Sequence, residues 1–198
     1  MDGKNVLKKN WAGSLSLWIV AIVLFSFTGC TMHVTKEISN KLDQDALYKS
    51  FNVEPKDLSA LSKCNAPPTV KIINIETRTE DFEVLQNPPA SGVINPKEMV
   101  DSICMYLKNG FERSRIKGDD HSNKVIQVKM EDLKSIAGVW SFGSYFKIQI
   151  IIPETKLTKF YEAKDNSGMG YTAAAYAIHG VTRQIIDDPE IQNYILCR

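Results

Sequence analysis

The sequence predicts an α+β domain: a mainly antiparallel four-stranded sheet with two long helices on one face, in the order β-α-β-β-β-α, forming a two-layer sandwich. Three observations predict it. Ile126, Val128 and Met130 alternate with Gln127, Lys129 and Glu131, the period of a strand with one buried and one wet face. Phe146, Ile148, Ile150 and Ile152 alternate with Lys147 and Gln149 in the same way. Two stretches carry a single apolar stripe at helical spacing, and such helices must bury that stripe against the sheet.

Each element has its own signal. Residues 70–75 are rich in β-branched side chains and follow Pro67-Pro68, which reads as the first strand. Residues 77–95 contain Pro88-Pro89 and Gly92 and read as a polar loop. Asn95-Pro96-Lys97-Glu98 then offers an N-cap, a proline at the first helical position and an acid three residues after the cap. Val100, Ile103, Cys104 and Leu107 follow on one face, and Gly110 stands where a C-terminal cap belongs. The strands at 125–131 and 146–152 come next, and Pro153-Glu154 turns the chain into a weaker strand over 157–163. Thr172 is a candidate cap for a second helix carrying Ala174, Ile178, Val181 and Ile185 on one face. Asp188-Pro189-Glu190 starts a short last helix with Ile191, Tyr194 and Ile195 inward.

The chain has 198 residues, 24 Lys+Arg against 23 Asp+Glu, and 43% hydrophobic residues. That composition excludes collagen-like, wholly disordered and polytopic membrane proteins. A net charge of +1 gives no basic excess with which to neutralise a phosphate backbone, so no nucleic-acid partner is expected. The N-terminus departs from the average. Lys4, Lys8 and Lys9 precede an almost continuously apolar run over 15–28 that ends at Gly29-Cys30, the layout of a secretory signal peptide. The run is shorter than the roughly 20 residues of a spanning helix.

Phe27-Thr28-Gly29-Cys30 resembles the lipobox of bacterial lipoproteins, with Phe27 where Leu is usual. The resemblance implies cleavage before Cys30 and acylation of its thiol and new amino group, which would turn the charge of +1 into −1. The other reading is an uncleaved anchor in which Cys30 is incidental. Thr31 stands where Asp favours inner-membrane retention in diderm lipoproteins, so the resemblance implies an outer-membrane location facing the periplasm. The expected organisation is a signal peptide over 1–29, a lipidated N-terminus and tether over 30–66, and a globular domain over 67–198. Within the tether, residues 31–40 read as a polar spacer and weak helical patterns surround Pro55.

Candidate chemistry is sparse. Cys64 and Cys197 could bridge, tying the tether to the end of the domain, or stay free; export permits a disulfide. Cys104 reads as a buried small hydrophobe on its helix. His33, His121 and His179 stand apart without ligand spacing, so no metal site is expected. Asp119-Asp120-His121 reads as a solvated loop. Ser167-Gly168-Met169-Gly170 lacks the Lys-Ser/Thr pair of a phosphate loop, and Asp187-Asp188 is explained by capping. No catalytic residue and no cofactor are assigned, and the chain is not expected to be an enzyme. Trp140 and Phe142, in the Gly-flanked connection between two strands, read either as a partner contact, since aromatics dominate hot spots, or as a plug at the end of the core.

The lipobox, a strand followed by a loop and helix, the run from Phe146 to Tyr161, and the ending at 188–195 together resemble small YajG-like lipoproteins over most of 69–196. A related likeness is to auxiliary lipoproteins of lipid-transport ABC systems and to lipopolysaccharide-assembly lipoproteins. The resemblance transfers one functional position, Cys30. It implies a protein held at the membrane by lipid on Cys30, acting in the cell envelope as an accessory or scaffold subunit for a protein partner; the alternative is a carrier of a lipid or other apolar ligand between sheet and helices.

Overall fold

A computed structural model describes residues 30–43, 67–87, 90–137 and 142–196. In chain order the elements are β1 (Cys30–His33), α1 (Thr35–Leu42), β2 (Thr69–Asn74), β3 (Phe82–Asn87), β4 (Ala90–Ile94), α2 (Pro96–Arg113), β5 (Lys117–Gly118), β6 (Val125–Ala137), β7 (Phe142–Ile152), β8 (Leu157–Ser167), α3 (Gly170–Asp187) and α4 (Pro189–Ile195). The fold is α+β, but the expected four antiparallel strands with two long helices are replaced, among the described residues, by eight strands in mixed pairing and four helices.

β6 is the spine. One edge pairs antiparallel with β7, from Gln127 opposite Ile151 to Ala137 opposite Phe142, and β7 pairs antiparallel with β8 from Phe142 opposite Ser167 to Ile152 opposite Leu157. The other edge is shared. Its first half pairs parallel with β2, Lys71 opposite Val125, and its second half pairs parallel with β3, Leu85 opposite Ser135. β3 and β4 form an antiparallel hairpin, β1 lies parallel to β4, and the two-residue β5 lies parallel to β2. A register shift between Met130 and Asp132 lets the long β6 change course along β7.

The missed strands have a physical reason. The hairpin of β3 and β4 occupies the stretch read as a polar loop, because Pro88-Pro89, Ser91 and Gly92 suggest breakers when read locally. Its burial comes from elsewhere: Val84 and Ile94 are buried in the common core. Parallel partners of β6 are set by long-range packing, which no local period encodes.

The face of β6, β7 and β8 that carries Val128, Met130, Phe146, Ile148 and Ile150 is buried with Ile103 and Leu107 of α2 and Ile178, Val181 and Ile185 of α3 in one continuous core. Each such side chain contributes about 1.5–3 kcal/mol through burial. Gly180 lets α3 approach β8 closely, since a Cβ there would stand 3.2 Å from that of Ala163. α2 starts as expected, with the Asn95 side chain accepting from Glu98 N at 3.2 Å. It runs past Gly110 because Phe111, fully buried, is worth keeping on the helix; Arg115, at φ 64°, takes the left-handed position that glycine usually fills. α3 begins at Gly170, with Met169 rather than Thr172 in the capping position and no side-chain cap. Asp188 caps α4, accepting from Glu190 N at 2.8 Å and Ile191 N at 3.3 Å.

Candidate functional site

Cys30, the lipidation candidate, is the first residue of β1, opposite Ala90. The stretch read as a spacer is structured: Thr31, Met32 and His33 pair with Ser91, Gly92 and Val93, and Val34 N donates to Val93 O at 2.9 Å. Val34, Ile38 and Leu42 are then buried in the core. The apolar triad at i, i+4 and i+8 was present in the sequence, but the polar residues around it hid the period. Thr35 and Ser39 fix α1 from its other side, Thr35 Oγ1 accepting from Asn95 N at 3.1 Å and Ser39 donating to Ser102 at 2.8 Å.

Of the other candidates, Trp140, Cys64 and Cys197 lie outside the described residues. Phe142 opens β7, half-buried between Ala137 and Ser167. Cys104 is a free thiol on α2, and burial, with the Asp101 carboxylate nearby, pushes its pKa up to about 12, which leaves it protonated and unreactive at neutral pH.

The face of the sheet away from the helices carries the richest exposed chemistry. Tyr145 Oη donates to Glu162 Oε2 at 2.8 Å, and that bond to a carboxylate raises the phenol pKa to about 12. Lys164 lies over the Tyr145 ring at 5.7 Å and Lys147 over the exposed Phe160 ring at 5.3 Å, both within cation–π range. A shallow depression of about 580 Å³ is lined here by Lys134, Tyr145, Glu162, Lys164, Asp165 and Asn166.

Sequence reading missed three polar clusters. Glu76, its carboxylate fully buried, is clamped by Arg78 at 2.7 Å and by the backbone N–H groups of Thr77 and Arg78, both at 3.0 Å; despite the burial that opposes ionisation, those bonds hold its pKa below the usual range. At the start of α4, Asp188 Oδ2 accepts from Lys159 Nζ at 2.6 Å and Tyr161 Oη at 2.7 Å, and Lys159 also reaches Glu190 at 2.5 Å. The third joins the helices: Tyr106 of α2 and His179 of α3 meet at 2.6 Å. Burial, and then Arg183, lowers the His179 pKa, which favours the neutral ring in this contact. Lys159 and Tyr161, two apart on a strand, were the one sequence signal of an inward polar pair.

These groups are engaged within the fold: the carboxylates of Glu76 and Asp188 by fixed donors, and His179 by the Tyr106 hydroxyl. Among the described residues no group of three or more His, Cys, Asp or Glu is arranged to hold a metal ion, and no helix is long and apolar enough to cross a membrane.

No family model matches the chain, and no curated protein matches it; neither comparison supports the YajG-like resemblance. Among solved structures, the chain is similar to a Xanthomonas campestris protein of the family DUF330, at 12% identity and a TM-score of 0.44, over 65% of this chain and 84% of that one.

Proposed function

We propose that this chain is a lipid-anchored envelope protein, facing the periplasm from the outer membrane, which acts as an accessory or scaffold subunit through protein contacts. The observation that carries the reading is Phe27-Thr28-Gly29-Cys30 at the end of a basic-then-apolar segment, with Cys30 also opening the first strand of the domain. Acyl chains on one cysteine hold a domain stably, since each buried methylene contributes about 0.8 kcal/mol and two or more chains act together. The open face around Tyr145, Phe160 and Lys164, together with Phe142, supplies the contact surface. Side chains of the sheet and the helices, Phe146 and Ile185 among them, form one buried apolar core between the layers, which supports a partner at the open face over an apolar ligand held inside.

Radiolabelled palmitate is expected to enter the wild-type chain, and Cys30→Ala is expected to abolish both incorporation and the shift to the mature size. Unchanged processing in Cys30→Ala would overturn the anchor. Photocrosslinkers at Phe160 and at Phe142 then separate the open face from the strand end as the partner contact.

A further inference from the structure

β8 ends the sheet on its long side. Among the described residues it pairs with β7 alone, over 11 residues without a register shift, and it contains no proline. An edge strand presents a row of unpaired N–H and C=O groups, which bulges and prolines usually blunt. β8 has neither.

The ladders fix which groups these are. Ile75 N donates to Val128 O, so Val128 turns its backbone groups to β2, and its neighbour Gln127, opposite Ile151, turns its own to β7. The same alternation along β7 turns Ile150 and Ile148 to β8, where they stand opposite Lys159 and Tyr161. Lys159, Tyr161 and Ala163 therefore bond to β7, while Phe160, Glu162, Lys164 and Asn166 face the free edge. The Glu162 carbonyl agrees with this, since it accepts from the exposed Gln184 side chain at 3.1 Å. The side chains of the same four residues are exposed on the open face, whereas Lys159 and Tyr161 are held by Asp188 on the helix side.

Charge complementarity selects the occupant of this edge. When two copies of one strand pair antiparallel about a two-fold axis, the residue on the axis fixes every opposing pair. An axis at Glu162 or at Lys164 brings a like-charged pair together, and one at Tyr161 leaves Glu162 opposite Phe160 and Lys164 opposite Thr158. An axis at Ala163 sets Glu162 opposite Lys164 twice, and Phe160 opposite Asn166 twice. It also puts the smallest side chain of the strand at the centre, beneath Gly180. We propose that β8 pairs with β8 of a second copy of this chain, antiparallel about Ala163, so that two sheets become one. α3 packs on β7 and β6 as well as on β8, which sets it back from the edge. The Gln184 amide gives way, replaced at Glu162 O by the N–H of Lys164 from the second copy. The pairing does not rest on the anchor at Cys30.

The test uses the full chain in its membrane, with Cys64 and Cys197 replaced by Ser and Cys104 by Ala. Phe160→Cys with Asn166→Cys places two thiols about 5.5 Å apart across the two-fold axis and about 20 Å apart within one chain. A short bis-thiosulfonate linker is expected to give a reducible band at twice the chain's mass. That band should be about fivefold or more stronger than with Phe160→Cys alone, whose two copies stand about 20 Å apart. In detergent, Lys164→Glu sets like charges together twice and is expected to raise the dimer dissociation constant about tenfold or more, read by sedimentation. Glu162→Lys with Lys164→Glu restores the opposite charges and is expected to return the constant to within about threefold of wild type. Both positions are exposed, and circular dichroism checks that each variant is folded. A monomer, a linked band containing a different protein, or a dimer indifferent to Lys164→Glu overturns the pairing, whether or not palmitate is found on Cys30.

Discussion

The two edges of β6 are built on different principles. Along one edge, β7 and β8 pair antiparallel over nearly their whole length and bury an unbroken row of Phe146, Ile148, Ile150 and Ile152. Along the other, β2, β3, β4 and β1 are short, largely parallel, and joined to β6 by brief registers at its two halves. The first edge is held by its own strands, whereas the second is continued by a helix: α1, which follows β1, buries Ile38 and Leu42 against the other helices and is tied to α2 through Asn95 and Ser102. Strand number is a poor guide to where stability resides; what decides is how many side chains each strand commits to the common core.

The sharpest way to break this contrast is a cavity in the long edge. Phe146→Ala, at a fully buried site, is expected to lose about 3–5 kcal/mol, read as a lowered urea midpoint with unchanged slope. Ile38→Ala in α1 is expected to cost about 2–4 kcal/mol if the short edge truly shares the same core, with a single unfolding transition. A two-step transition, or a cost near zero, would show the β1–α1 arm to be an independent attachment. Asp188→Ala removes the cap of α4 together with the partners of Lys159 and Tyr161, and a loss of about 1–3 kcal/mol is expected, measured by thermal melting. Asn at 188 keeps the cap and should recover part of it.

The contact between α2 and α3 is expected to respond to pH. The folded His179 pKa lies below its unfolded value near 6.5. The unfolded state therefore binds more protons as pH falls through 6.5, and stability falls with it until the folded ring also protonates. Melting temperature should drop between pH 7.5 and 5.5, and His179→Gln should flatten that drop; an unchanged slope would remove His179 as its source. The smallest effect belongs to the open face. Phe160→Ser, at an exposed site, is expected to change stability by less than about 0.5 kcal/mol while reducing any crosslink made from this face.

The same contrast explains what could be read in advance. β6, β7, β8, α2 and α3 were legible because each repeats its apolar period for long enough to outweigh its neighbours, although every one of them extends beyond its predicted bounds. β1, β3 and β4 were not: with Pro88-Pro89 and Gly92 in the hairpin and Thr31 to His33 in β1, local composition speaks for loops, and only β6 and the helices make strands of them. The site divides in the same way. Cys30 is marked by its place at the end of an apolar run, whereas the meeting of Tyr145 with Glu162, or of Lys159 with Asp188, depends on register and on the return of α3 across the sheet, which sequence spacing does not carry.

The position of β1 also sets a timetable. Cys30 to Leu42 would emerge first in export and be the first part held at the membrane, yet β4 lies about 60 residues later and α3 about 140 later in the chain. Parallel pairing across that separation makes closure a non-local and therefore slow step. Until α2 and α3 arrive, Val34, Ile38 and Leu42 have nothing to cover them, next to a lipid surface that would accept them. On the proposed anchor, β1 is the first strand to be delivered and among the last to be finished, and a chaperone acting on the chain would meet its most exposed apolar surface there.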